Sequence, residues 1–281
     1  MQVREKRHVE ERIDGAGYRR AHARRPAVEG VVARVVIVGD VGGCAGELAR
    51  VVGPLAAEPG TVVVQVGDLV DRGPDSPGVL AFVRERLEQD PRRWIQLVGN
   101  HELPYVGGEP FWPVPLAEAD GSLLRGWWLK EWLRVAVAVR TAEGEELLVT
   151  HAGLAVPAWQ VLGAPVTAGT AADLLNTRPE ELLFSYDGPV WAEAGQVYSS
   201  WLHAGQPMPF SQVHGHSTIV SFRHRSWLCE ERIRSRAVVD WQARQTVTRV
   251  GGGRFVGVDP KHGTAGAPRW APLVLPGAEI I

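Results

Sequence analysis

The chain has 281 residues, 45% of them hydrophobic and 22% charged, which is enough to bury a sizeable core and excludes a disordered or fibrous protein. Its formal net charge of −2 gives no global attraction to nucleic acid or to a membrane surface, so neither is expected as a partner. Two cysteines, Cys44 and Cys229, are too few for a disulfide framework, and no stretch approaches the ~20 apolar residues of a membrane span or forms the apolar centre of a signal peptide at the N-terminus, so a cytoplasmic protein is expected.

Residues 1–30 are rich in Arg and Glu and poor in apolar periodicity, which predicts a charged N-terminal arm ahead of a domain over 31–281. From there strand and helix signals alternate. ARVVIVGD (33–40) is a continuous apolar run of the kind buried on both faces of a sheet, and CAGELARVVGPLAA (44–57) carries apolar residues at helical spacing. TVVVQVGD (61–68) predicts a second strand, SPGVLAFVRERLEQD (76–90) a helix with Pro near its start, and RWIQLVGN (93–100) a third strand. Such an order implies right-handed crossovers and a parallel sheet core. Trp127, Trp128, Trp132 and Leu133 read as one helix packed on the sheet, whereas Phe111 and Trp112 sit among glycines and prolines and read as a loop. The later segments QVHGHSTIVSF, RAVVDW, QTVTRV and RFVGVD read as antiparallel strands.

All three early strands end in Gly-Asp or Gly-Asn. The carboxyl ends of strands in open α/β sheets form the ligand crevice, so Asp40, Asp68 and Asn100 are expected to converge. In chain order the polar strand ends are Asp40, Asp68 with Asp71 and Arg72, Asn100 with His101 and Glu102, His151, and His214 with His216. One aspartate at a strand end is usually a helix cap. Oxygen and imidazole donors delivered together by rigid strand ends suit one or two divalent transition metal ions such as Mn, Fe or Zn.

The motifs GDVGG (39–43), GDLVDRG (67–73), GNHE (99–102), HAG (151–153) and GHS (215–217) resemble those of the calcineurin-like metallophosphoesterases, within them the phosphoprotein phosphatase group with its bacterial protein phosphatases and symmetric diadenosine tetraphosphatases. The resemblance implies a four-layer α/β/β/α sandwich that hydrolyses a phosphate ester, a phosphomonoester or a dinucleoside polyphosphate, by a metal-bound hydroxide. It further implies that Asp68 bridges two metals, that Asn100, His151 and His216 complete the second site, and that Asp40 serves the first. His101 would protonate the leaving group with Asp71 orienting it, and Arg72 would grip the phosphate. The substrate would be a phosphorylated small molecule, a nucleotide or a phosphoprotein.

Two departures stand out. Gly42 occupies the position of the family's first-metal histidine, and glycine has no donor atom; His214 is the candidate substitute, because residues two apart in an extended segment face the same side. The family's further phosphate-binding arginine lies between the HAG and GHS motifs, where the only Arg or Lys here is Arg178. The rival expectation is therefore a catalytically weak binding module that keeps the fold with an incomplete first metal site.

Overall fold

Strand β1 (Arg34–Val38) shows how the layers arise. Its side chains alternate between faces, and Val35, Val36, Ile37 and Val38 are all fully buried, so each face must be covered by another layer. The computed structural model describes residues 34–262 and 269–281; the charged arm expected over residues 1–30 lies outside the described residues.

After β1 come α1 (Ala45–Ala57), β2 (Thr61–Gln65), α2 (Ser76–Gln89) and β3 (Trp94–Leu97), within a residue or a few of the boundaries the periodicity predicts. Next come α3 (Glu118–Leu129), β4 (Leu133–Arg134), β5 (Ala136–Arg140) and β6 (Glu146–Thr150). A helical stretch follows, with α4 (Val156–Val161), α5 (Ala168–Asn176), α6 (Glu180–Leu183) and α7 (Ala194–Ala204), leading into β7 (Ser211–His214). The remainder is β8 (Val220–Ser221), β9 (Ser226–Trp227), α8 (Glu231–Arg234), β10 (Ala237–Asp240), β11 (Gln245–Val250), β12 (Gly253–Gly257), β13 (Leu273–Pro276) and β14 (Glu279–Ile280). Of the tryptophans expected in one helix, Trp127 and Trp128 lie in α3, while Trp132 lies beyond its end and Leu133 opens β4.

Of the two large sheets, one has the order β13-β1-β2-β3-β4 and the other β10-β11-β12-β7-β6-β5-β14, while β8 and β9 pair as a separate two-stranded sheet. Val35 and Ile37 of β1, Val62 and Val64 of β2 and Ile95 of β3 meet Val137, Leu147, Val149, Val213 and Val256 of the second sheet in one buried cluster. The opposite residues, Val36 and Val38, pack with Leu48 and Val52 of α1 and with Val79, Leu80 and Val83 of α2. On the far side Ala136, Ala138 and Leu148 are covered by Ala168, Ala171, Ala172 and Leu175 of α5, and Phe255 by Tyr198 of α7. The architecture is the expected α/β/β/α sandwich. Each fully buried valine or leucine contributes about 1.5–3 kcal/mol, so the double coverage is what makes these long apolar strands stable.

Strands β1 to β4 are mutually parallel, as the strand and helix order predicts. The later half differs from the antiparallel expectation: β10, β11 and β12 run antiparallel, but β7 pairs parallel to both β6 and β12. The helical residues between β6 and β7 act as a crossover, which returns the chain in the same direction rather than reversing it. As a result β6, β7 and β12 also present carboxyl ends together, and they carry His151, His216 and Asp259.

Candidate active site

The loops after β1 and β2 are stitched to one another. The N–H groups of Val41 and Gly42 donate to the Asp68 carbonyl at 2.9 and 2.8 Å, and Gly73 N–H donates to the Gly42 carbonyl at 2.8 Å. Glu102, to which sequence reasoning gave no role, anchors the other side: its carboxylate accepts from the N–H groups of Asp68 (2.9 Å), Leu69 (2.8 Å) and Gly99 (2.8 Å). Burial and the Asp68 charge push its carboxyl up to about 7, against the pull of those donors. Asp71 N–H is held by the Ser76 hydroxyl at 2.9 Å.

Four non-glycine residues of the site lie in the left-handed region: Asp68 (φ 54°), Asp71 (φ 67°) and Arg72 (φ 59°) in the loop so bonded, and His216 (φ 61°) after β7. Each costs on the order of 1–2 kcal/mol, a strain that persists where the surroundings over-determine the backbone. Gly42 shares the conformation, with φ 51°; a β-carbon there would meet Arg72 Cβ and Cδ at an ordinary 3.6 Å, so it is the backbone angle rather than space that favours glycine.

Asp68, His151 and His216 place donor atoms within 4.8 Å of one another. His151 Nδ1 donates to the Val66 carbonyl at 2.9 Å, which fixes Nε2 as the unprotonated nitrogen. That lone pair faces Asp68 Oδ1 at 3.3 Å and Asn100 Oδ1 at 3.1 Å, and Asn100 Oδ1 also lies 2.9 Å from His216 Nδ1. An acceptor aimed at two acceptors requires a proton or a metal cation between them. Burial holds His151 below its ordinary pKa and pushes His216 down to about 3, which disfavours the proton. Burial raises Asp68, but its imidazole and guanidinium neighbours, His151, His101 and Arg72, hold its carboxyl well below the usual carboxylate range. The donor set therefore fits a divalent transition metal.

His101 lies beside this cluster. Arg72 Nη2 sits 3.1 Å from His101 Nε2, and a guanidinium can only donate, so the ring proton is on Nδ1 and is donated to Asp71 Oδ2 at 2.7 Å. Burial opposes the imidazolium, yet the Asp71 hydrogen bond and the Asp68 charge outweigh it and keep the pKa of His101 above the ordinary histidine value. Arg72 is also 3.6 Å from Asp68 Oδ2. Phe111 and Trp112 pack edge-on against the His101 ring, with centroids 5.1 and 4.8 Å away. Trp112, Asp71, Arg72, Leu116 and His262 line an open cleft of about 560 Å³.

Asp40 is buried at the end of β1 and accepts from His216 N–H at 2.9 Å through Oδ1. Its neighbours include two residues that sequence reasoning missed, Asp259 and Lys261, whose ammonium lies 2.9 Å from Asp259 Oδ2 and donates to the His216 carbonyl at 2.7 Å. Burial, Asp259 and Asp68 together push the carboxyl of Asp40 well above its ordinary pKa. The only signal of Asp259 in the sequence is another strand-end Gly-Val-Asp, in GVDPK (257–261).

Two expectations are corrected. His214 is fully buried but points elsewhere: Nδ1 donates to the Gly215 carbonyl at 2.9 Å and Nε2 accepts from the Tyr198 hydroxyl at 2.7 Å. The alternation that would align His214 with His216 ends with β7 at His214, and the left-handed backbone of His216 turns its side chain another way. Arg178 does not reach the phosphate position. Its guanidinium stacks 3.6 Å from the Trp128 ring centre and donates to the carbonyls of Trp128 (2.8 Å) and Leu133 (3.3 Å), tying α3 to the residues after α5.

Two stacked sheets, six strand ends meeting at one edge and a buried cluster of oxygen and imidazole donors together make up the candidate site. The model of the calcineurin-like phosphoesterase family matches residues 33–247, and the chain belongs to that family. Similar curated proteins include the symmetrical bis(5'-nucleosyl)-tetraphosphatases of Cronobacter sakazakii and Serratia proteamaculans, each 31% identical over 176 residues, covering 59% of this chain and 56% of the relative. That of Neisseria meningitidis is 31% identical over 160 residues, covering 53% of each. The chain thus spans little more than half the length of these relatives. Similar solved structures include a cold-active protein-tyrosine phosphatase of a Shewanella species (16% identity, TM-score 0.48, covering 82% of this chain and 72% of that one). Another is a putative diadenosine tetraphosphatase (19% identity, TM-score 0.39, covering 83% and 85%). Among the described residues no helix is long and apolar enough to cross a membrane.

Proposed function

We propose that this chain hydrolyses a phosphate ester with the help of a divalent metal ion held by Asp68, Asn100, His151 and His216. The observation that carries the reading is the chain of contacts from Asp71 through His101 to Arg72, at 2.7 and 3.1 Å, beside that donor set. The ion would supply Lewis-acid polarisation of a phosphate oxygen and lower the pKa of a water toward about 7.

The protein's own groups then divide the remaining work. Arg72 turns its planar fork to the phosphate oxygens, which frees His101 Nε2 for the leaving-group oxygen. Asp71 keeps the His101 ring oriented and favours the imidazolium, so that Nε2 can deliver a proton as the ester bond breaks. A purely binding module has no use for such an oriented acid, and the metal-coordinating residues alone would suffice for it. Phe111 and Trp112 beside His101 favour a substrate with a planar aromatic group, and a nucleotide such as a dinucleoside polyphosphate, the substrate class named for the curated relatives, suits this wall better than an alkyl monoester.

The test is metal analysis of the purified protein together with hydrolysis assays on an aryl phosphate, an alkyl phosphate and a dinucleoside tetraphosphate. Turnover should vanish on chelation, return with added Mn, and be absent in Asp68→Asn. Metal-loaded, folded protein that turns over none of the three substrates would overturn the reading.

A further inference from the structure

The acidic side of the site holds more negative charge than the metal cluster uses. Gly39 brings the end of β1 against the end of β12 so closely that a β-carbon would collide with the Val258 carbonyl, which sets Asp40 and Asp259 side by side. Among the described residues nothing donates a hydrogen bond to the buried Oδ2 of Asp40 or of Asp259, and the same holds for Asp68 Oδ2 on the opposite flank. No imidazole among the described residues serves Asp40: Gly42 has no side chain, and both ring nitrogens of His214 are committed to Tyr198 and Gly215.

What stands there instead is Lys261. Its own N–H closes a tight turn on Asp259 Oδ1 at 2.7 Å, which fixes the start of the side chain, and its ammonium is 2.9 Å from Asp259 Oδ2 and 2.7 Å from the His216 carbonyl oxygen. The Lys261 charge is also one of those that act on Asp40. An ammonium has three donors and the His216 carbonyl takes one, so even with a second turned toward Asp259 an N–H remains, and the side chain is 36% exposed, open enough to meet a ligand in the site. Arg178 being engaged with Trp128, Arg72 and Lys261 are the two cations that the described structure places around Asp40 and Asp68.

We propose that Lys261 is a built-in cation of this site: its ammonium stands beside Asp40 and Asp259 in place of a second divalent ion, so the chain holds one metal, and its remaining N–H binds the phosphate opposite Arg72. This rests on the phosphate-ester reading for its ligand, but not for its cation count. A compact, monovalent ammonium compensates Asp40 and Asp259 without needing a nitrogen ligand, which accounts for a site that has carboxylates on this side and no histidine. Removing it would leave the buried carboxylates of Asp40 and Asp259 with less compensating charge, and oxygen donors of that kind suit a hard divalent ion.

Metal-free wild type, Lys261→Ala, Lys261→Met and Asp40→Asn would be titrated with Mn(II) to count bound ions, and inorganic phosphate binding would then be measured on protein carrying one equivalent. Wild type and Asp40→Asn should each bind one ion. Lys261→Ala should gain a second, weaker one and lose about tenfold or more in phosphate affinity at one equivalent, the loss of one charge-assisted hydrogen bond. Two ions on wild type, one of them lost in Asp40→Asn, would overturn the proposal, and those two proteins decide it even where the Lys261 variants fail to fold. Folded Lys261→Ala and Lys261→Met that keep a single ion and wild-type phosphate affinity would overturn it as well. A one-ion count and weakened phosphate binding in a protein that hydrolyses no ester would leave the built-in cation standing and refute the hydrolase alone.

Discussion

If His101 is the general acid and Asp71 acts through it, the two residues must be non-additive. His101→Ala removes the proton donor and should lower turnover by about 10²–10⁴-fold, the usual worth of general acid catalysis. Asp71→Asn keeps the shape but removes the charge from a buried 2.7 Å contact in which both side chains are almost inaccessible. A charge-assisted hydrogen bond of this kind is worth about 1.5–3 kcal/mol, which at 1.4 kcal/mol per tenfold is roughly 10–150-fold in rate. The double variant should then be no slower than His101→Ala, because Asp71 has nothing left to orient. Single-turnover rates on an alkyl phosphate and on a nitrophenyl phosphate supply the control: the poor alkoxide leaving group needs the proton, so the losses should be large there and small on the aryl ester. Multiplying losses in the double variant, or equal losses on both esters, would refute the assignment.

Trp112→Ala should shift the preference between nucleotide and alkyl substrates while leaving thermal stability nearly unchanged, since the side chain lines an open cleft rather than the core; a large fall in melting temperature with unaltered preference would place it in the core. Arg178→Ala should do the reverse, costing about 1–3 kcal/mol of stability through the lost carbonyl bonds and ring stacking with no change in turnover per folded molecule, measured by denaturant unfolding and kinetics. His214 should make the metal-free protein acid-sensitive. Burial pushes its pKa down to about 4 from an ordinary 6.5, so the unfolded chain binds the proton first: its contribution is complete above about pH 6.5 and is lost as pH falls toward 4. Between pH 7 and 5 this single group should cost about 2 kcal/mol, and His214→Gln should flatten the urea-unfolding profile over that range by the same amount.

The layers and most of the donor residues were legible in the order of the residues alone. Continuous apolar runs such as VVIV (35–38) are of the kind buried on both faces of a sheet, and the crossover order makes the strands parallel, so Asp40, Asp68 and Asn100 were expected at one edge. The short spacing of Asp71 and Arg72 from Asp68, and of His101 from Asn100, carried those three residues to the same edge. Tertiary structure decided the rest, because it turned on angles and on contacts between distant segments. A left-handed φ at His216 separated it from His214, which period-two alternation had aligned. Trp128, fifty residues before Arg178, took the arginine that spacing alone had left available for phosphate. Glu102 acquired its place only when the loop after β2 folded over it, and Lys261 only when β12 paired parallel to β7 and brought it against the His216 carbonyl. Periodicity records which face of an element is buried, but the compensation of a buried charge is a sum over whatever the fold brings within a few ångströms, and local sequence does not contain that sum.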